Sequence, residues 1–259
     1  MRADDNYIEV NHVSRTFQSA DKEHLVLSDI QLQVKKGEFI CIVGGSGCGK
    51  STLLRSLSGL DTDYEGEITI AGVPVTKPSK NLGYVFQESR LFPWLTVENN
   101  IKFALDKGTR REKKEQVQNV INLVGLNGFE KANPRTLSGG MAQRTNIART
   151  LVNKPPVLFL DEPFGALDAF TKMQLQDELI HIKNEEGTTM IMVTHDIDEA
   201  IYLSDRIIVM GKDPGRIQAI LSVDLPRPRD RNNYYFTEIR KRIYEYFFTS
   251  ISVIEDYNI

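Results

Sequence analysis

Short apolar runs bounded by polar turns recur along this chain, and most have the length of strands. Phe39–Val43 and Val157–Leu160 are continuously apolar, as strands covered on both faces should be. Leu82–Phe86, Thr189–Val193 and Ile207–Met210 add three further strands. Tyr7–Val13 alternates imperfectly and predicts an edge strand, Leu25–Val34 a second strand region broken near Ser28–Asp29, and Glu67–Ile70 with Ala71–Gly72 a hairpin edge. Helical spacing appears over Ser51–Leu57, Ala169–Asn184 and Ile197–Leu203. A long helical stretch runs from about Thr96 to Asn153, with Val117, Val120, Ile121 and Val124 in phase, and stops at Lys154-Pro155-Pro156. Phe236, Ile239, Ile243 and Phe247 predict a C-terminal helix docked on the core. Strands alternating with helices imply an α/β fold with a largely parallel sheet covered on both faces.

Composition narrows the picture in four ways. At 259 residues with 41% hydrophobic content, one large domain carrying a helical insertion is the natural expectation. A net charge of -3 gives no general case for nucleic-acid binding. The longest apolar runs fall far short of the roughly 20 residues that span a bilayer, and Met1–Asn6 carries acids where a signal peptide needs an apolar run. The chain is therefore expected not to cross a membrane, so that work at a membrane requires another subunit. Cys41 and Cys48 have neither zinc nor disulfide-framework spacing. Cys41 is expected in the core, and Cys48 at a loop position open to alkylation.

Two segments carry chemistry. Gly44-Gly45-Ser46-Gly47-Cys48-Gly49-Lys50-Ser51, followed by Thr52, fits the phosphate-binding pattern G-x-x-x-x-G-K-[ST], flanked by a strand and a helix as that pattern requires. In such loops the backbone amides wrap a triphosphate, the lysine reaches its β- and γ-phosphates, and the Ser51 hydroxyl serves Mg²⁺. Leu137-Ser138-Gly139-Gly140-Met141-Ala142-Gln143-Arg144 is a glycine-bearing turn that opens a helical pattern and can present amides to an anion.

Together these segments resemble the Walker A and signature motifs of ABC-type ATPases, and the likeness covers nearly the whole chain. The resemblance implies a P-loop ABC-type ATPase core with a mostly parallel sheet, an antiparallel β edge subdomain and an inserted α-helical subdomain. The expected layout is a single domain, 1–259, with its core at about 1–87 and 157–225, the insertion at about 88–156 and a helical tail at about 232–250.

Val157-Leu158-Phe159-Leu160-Asp161-Glu162-Pro163 matches Walker B, which implies Asp161 at Mg²⁺ and Glu162 as general base. Successive strand residues point to opposite sides, in keeping with separate jobs for the two acids. Gln87 matches the Q-loop, which reaches Mg²⁺ and senses the γ-phosphate, and His195 in Val193-Thr194-His195-Asp196 matches the switch histidine. Gly165-Ala166-Leu167-Asp168 resembles the D-loop, and Phe17 falls where the family stacks an aromatic on adenine. Ser138, Gly139 and Gly140 would cap the γ-phosphate of ATP held by a second, identical copy, making each monomer catalytically incomplete.

The resemblance also carries partners. Glu88–Thr96 has four large apolar side chains around Pro93, and integral-membrane permease subunits would dock near Gln87–Thr96. Gly215-Arg216-Ile217 and Leu225-Pro226-Arg227-Pro228-Arg229-Asp230-Arg231 are similar to importer ATPases for nitrate, sulfonates and taurine. Taken alone, those arginines read as a solvated, proline-stiffened connector. The implied task is ATP-driven import of a small anion or organic sulfonate from the cytoplasmic face of the membrane, with a substrate-binding protein acting indirectly. An exporter or lipid-handling subunit would share the chemistry, and a soluble factor acting on ribosomes or DNA is a third reading.

Overall fold

In the computed structural model, the structure describes residues 6–19 and 22–248. The acid-bearing residues Met1–Asp5, and Thr249 and Ser250 of the expected tail, lie outside them. The chain forms two compact units, Met1–Ser79 with Thr189–Ile259, and Lys80–Thr188.

The first unit begins with two long strands, β1 (Asn6–Ser19) and β2 (Lys22–Lys35), paired antiparallel. The apparent break at Ser28–Asp29 is a bulge: Asp29 takes a φ of 50°, and the register shifts between Val13↔Ile30 and Arg15↔Leu27. β3 (Phe39–Gly44) follows, then α1 (Lys50–Leu57), β4 (Glu65–Ile70) and the short β5 (Val73–Pro74). β1 also pairs with β4, giving a four-stranded antiparallel sheet in the order β2-β1-β4-β5. β1 is therefore an interior strand and not the predicted edge. Its mixed pattern comes from bulges that re-aim the side chains, which simple alternation cannot show. The predicted hairpin turn is present, with Ala71 and Gly72 both at positive φ, as a two-residue β-hairpin loop needs.

The second unit is richer in helix. β6 (Leu82–Val85) is followed by α2 (Val97–Phe103), α3 (Arg110–Leu123), one 3₁₀ turn at Pro134–Thr136, and α4 (Gly139–Leu151). α3 opens with a capping box between Thr109 and Glu112, which explains its start in a strongly charged sequence. β7 (Val157–Asp161) then pairs parallel with β6, and α5 (Ala169–Glu186) closes the unit. The register Leu82↔Val157 to Val85↔Leu160 brings the C-terminal ends of these two strands side by side.

The chain re-enters the first unit with β8 (Thr189–Val193), α6 (Ile197–Leu203), β9 (Arg206–Gly211), β10 (Arg216–Ser222) and α7 (Tyr234–Phe248). β3 lies between β8 and β9, parallel to both, and β3 and β8 are buried along their whole length. β10 joins β9 antiparallel. α7 buries Phe236 and Ile243, and its Arg240 forks onto Asp198 at the start of α6 at 2.6 and 3.0 Å. Among the described residues, no helix is long and apolar enough to cross a membrane.

The arginines of the tail depart from a solvated connector. Arg229 is only 7% exposed and donates to the carbonyls of Ile201 at 2.6 Å, Ser204 at 2.5 Å and Val223 at 2.9 Å. Arg227 bridges Asp205 at 2.8 Å and the Leu203 carbonyl at 2.6 Å. The last carbonyls of a helix lack partners within it, and at the end of α6 these guanidinium groups supply them. Burial, then the neighbouring Arg227, pushes Arg229 down to about 10, which leaves it protonated at neutral pH. Arg229→Met should therefore cost about 2–4 kcal/mol by stranding buried carbonyls. Thermal unfolding followed by circular dichroism should register a fall of roughly 5–15 °C for a chain of this size. An unchanged melting curve would show that these carbonyls do not depend on Arg229.

Candidate functional site

In the first unit, β3 delivers the glycine loop and α1 begins at Lys50 immediately beyond it. Gly49 has a φ of 90°, and an added Cβ would meet the Leu27 side chain at 2.6 Å. Across the same loop, a Cβ on Gly215 would lie 2.3 Å from the Cys48 carbonyl oxygen. The phosphate-binding loop thus rests directly on β2 and on the turn before β10, which only glycine at both positions permits. Gly45, by contrast, faces open space. Lys50 is largely buried, and its Nζ donates to the carbonyls of Gly44 at 2.9 Å and Gly45 at 3.1 Å. An ammonium held over the loop it belongs to is already where a phosphate oxygen would be met.

Cys48 is not open to alkylation. It is 1% exposed, its sulfur fills the space left by the missing Cβ of Gly44, and burial pushes its thiol up. Cys41 is fully buried, as expected.

β8 runs parallel beside β3, so the segment after Val193 emerges at the same end of the sheet as the glycine loop. The Thr194 amide donates to the Ile42 carbonyl at 3.2 Å. Thr194 Oγ1 donates to Glu199 at 2.6 Å and accepts from the Asp196 amide at 3.0 Å, while Asp196 caps α6. This pinning fixes the backbone on either side of His195, whose side chain is exposed. Phe17, on β1, is 41% exposed, with the Arg15 guanidinium 4.1 Å from the centre of its ring. Arg15 is itself clamped by Asp61 at 3.0 Å and Asp63 at 2.7 Å. No sequence pattern pointed to this support. A cavity of about 600 Å³ lies beside it, lined by Phe17, Gln18 and Tyr64 among others.

In the second unit the parallel pairing of β6 and β7 brings Gln87 and the acidic pair together. Gln87 Nε2 donates to Glu162 Oε2 at 3.1 Å, and the Tyr84 hydroxyl donates to Asp161 Oδ2 at 3.1 Å. The two acids have separate environments: Asp161 is 3% exposed, Glu162 half-buried. Glu162 also holds a φ of 45°, a left-handed conformation that costs a residue with a side chain about 1–3 kcal/mol and concentrates at functional sites.

Ser138 caps α4 by accepting from the Met141 amide at 3.2 Å, which leaves Ser138 and Gly139 exposed at the positive end of the helix. A Cβ on Gly140 would stand 3.1 Å from the Ala166 carbonyl oxygen, so the signature turn packs against the Gly165–Asp168 loop of the same chain. Asp168 accepts from the Thr171 amide at 3.0 Å as the cap of α5, and that amide holds its carboxyl below the usual carboxylate range. Among the described residues there is no cluster of three or more His, Cys, Asp or Glu placed to hold a metal ion.

The first unit thus carries a glycine loop with its lysine folded over it, and the second a glutamine on an acidic pair at parallel strand ends and a serine-capped signature helix. The family model described as ABC transporter matches residues 27–165, which span both motifs. The chain belongs to the ABC transporter family. The cassette is 52% identical to an aliphatic sulfonates import ATP-binding protein SsuB of Bacillus cereus, over 93% of this chain and 95% of that one. It is 49% identical to the protein of the same name in Bacillus subtilis, over 88% of this chain and 89% of that one. Among solved structures it is similar to the dimeric bacterial ABC transporter cassette MJ0796, with a TM-score of 0.79 and 31% identity over 85% of this chain and all of that one. A post-hydrolysis dimer of the same cassette bound to ADP and Pi matches with a TM-score of 0.78 and 29% identity. The fold is that of an ABC ATPase, and the cassette is an ATP-hydrolysing enzyme coupled to transport.

Proposed function

We propose that this cassette is the energy-coupling subunit of an importer of aliphatic sulfonates, with related small anions as the wider substrate class. The near full-length likeness to proteins named for aliphatic sulfonate import supports the cargo. The observation that carries the catalytic reading is Gln87 seated on Glu162 at 3.1 Å, beside a separately bound Asp161.

The reaction is transfer of the γ-phosphoryl group of ATP to water, giving ADP and phosphate. The loop amides of Gly44–Ser51, with Thr52 beside them, and Lys50 bind and orient the phosphates. Glu162 accepts the proton of the attacking water, and His195 orders that water against the γ-phosphate. Phe17 stacks on adenine. Ser138, Gly139 and Gly140 complete the pocket of a second, identical copy, with Asp168 in the loop that joins the two sites. The donors of Ser51, Gln87 and Asp161 are all oxygens, which suits a hard cation such as Mg²⁺. When bound there, Mg²⁺ would neutralise charge on the phosphates.

The permease docks near Gln87–Thr96, where the core, about 1–87, passes into the helical insertion, about 88–156. Trp94 is 73% exposed and Phe103 65%, and the rings of Phe92 and Phe103 lie 4.7 Å apart. A groove of about 1150 Å³ beside them is lined by Phe86, Arg90 and Phe92. A cleft of aromatic walls and cationic rim fits a short amphipathic helix from a membrane subunit. The cassette would then sit peripherally on the cytoplasmic face of the membrane, and the substrate-binding protein would act on it only through the permease.

Assembly of the cassette with its permease in vesicles tests the whole proposal. ATP hydrolysis should rise when a sulfonate-loaded binding protein is added from the opposite side, and not with the unloaded protein. Hydrolysis indifferent to any binding protein would point to an exporter and overturn the import reading.

A further inference from the structure

One stripe of α4 carries three side chains that grip the segment around Gln87. Gln143 and Asn146 are 2% and 0% exposed, and both donate to the same acceptor, the Phe86 carbonyl, each at 3.1 Å. Asn146 Oδ1 accepts from Arg149 Nη2 at 2.9 Å. Arg149 in turn donates to the Ser89 carbonyl at 3.2 Å and the Arg90 carbonyl at 3.0 Å, with its guanidinium 5.8 Å from the centre of the Phe92 ring. Residues 143, 146 and 149 lie on one face of the helix, so a single rigid rod holds the backbone on both sides of Gln87. Beyond it, Asn100 fixes Phe92 through bonds to its amide at 2.9 Å and its carbonyl at 3.2 Å. Phe92 contacts Trp94 with ring centres 5.5 Å apart. The first turn of this same helix is Ser138–Gly140.

We infer that α4 is a transmission bar, and that Gln143, Asn146 and Arg149 are positioning residues that make the signature turn and the Gln87–Trp94 segment move as one piece. Both groups on the amide of Asn146 are used, one on the loop and one on Arg149, so the grip is a connected network and not three independent contacts. A displacement imposed at Ser138–Gly140 would reach Gln87 and Trp94 along the helix, and one imposed at the segment would return the same way. The inference rests on the proposal that Ser138–Gly140 meets nucleotide on a second copy, and the test separates the two.

Trp94 is the only tryptophan of the chain and lies exposed at the far end of the bar. In the full-length chain carrying Glu162→Gln, so that ATP is held, ATP with Mg²⁺ should pair two copies and change Trp94 emission. Adding Asn146→Ala or Arg149→Met should abolish the emission change while ATP affinity and pairing, read by elution volume, stay as in the parent. Arg149→Lys keeps the charge but cannot fork across two carbonyls, and should retain part of the signal. It also serves where a truncating variant fails to fold. An intact emission change in the truncating variants overturns the inference, as does pairing of the parent with no emission change. Failure of the parent to pair removes the reading beneath it, and the inference falls with that reading.

Discussion

Glu162→Gln in the full-length cassette should leave ATP binding intact and cut turnover by about 10²–10⁴-fold, the usual contribution of a general base. The substitution keeps the shape of the side chain and its left-handed backbone, and it removes only the capacity to accept a proton. Gln87 Nε2 reaches Glu162 at 3.1 Å, so the carboxylate is already oriented by a neighbour that donates and does not compete for protons. Asp161 cannot substitute: it is 3% exposed and accepts from the Tyr84 hydroxyl at 3.1 Å. Phosphate release under saturating ATP measures the loss, and equilibrium binding of labelled ATP measures what is retained. Turnover near the parent's value would remove Glu162 from the role and leave positioning of the phosphates as the main source of rate.

Where a stretch of chain does one thing, its sequence announces it. β8 and α6 fall at Thr189–Val193 and Ile197–Leu203, the bounds their patterns predict, because a strand buried on both faces and a short amphipathic helix each carry an undivided signal. Stretches with mixed surroundings are harder to read. β10 exposes Arg216, Gln218, Ile220 and Ser222 and covers the residues between them. The apolar Ile220 on the exposed side blurs that alternation in the sequence, and the pairing with β9 is visible only in space. Arg229 looks solvated in sequence because an arginine among prolines usually is. Its burial depends on carbonyls at the end of α6, some 25 residues earlier in the chain. Cys48 looks open because it sits in a loop, yet the missing Cβ of Gly44 makes room for its sulfur.

The candidate site divides the same way. Its members were legible as motifs, since glycine, lysine, carboxylate and amide at those spacings have few other uses together. The contacts among them were not. Nothing in the order of residues says that Gln87 rests on Glu162, that Arg15 backs the Phe17 ring, or that two amides of α4 share the Phe86 carbonyl. Such contacts depend on register and helix phase, which one-residue differences would change. The chemistry was therefore readable before the geometry, and the supporting residues only after it.

Lys50→Ala and Ser138→Arg should each abolish hydrolysis alone, and an equal mixture of the two should regain it. The two residues serve different ends of the proposed site. Lys50 is largely buried over its own glycine loop, donating to Gly44 and Gly45, and its loss removes the charge that meets the phosphates. Ser138 stands exposed at the start of α4, so a bulky arginine there blocks an approaching partner at the cost of one helix cap, about 1 kcal/mol. In a symmetric head-to-tail pair each pocket takes the glycine loop of one copy and the signature turn of the other. A mixed pair then holds one pocket with both defects and one with neither. Random pairing makes roughly half the pairs mixed, so the mixture should recover roughly a quarter of the parent's rate. Differently tagged copies, co-purified in the presence of ATP, establish that mixed pairs form. If they form and hydrolysis stays absent, the two residues serve one pocket within a single copy, and the composite arrangement is wrong.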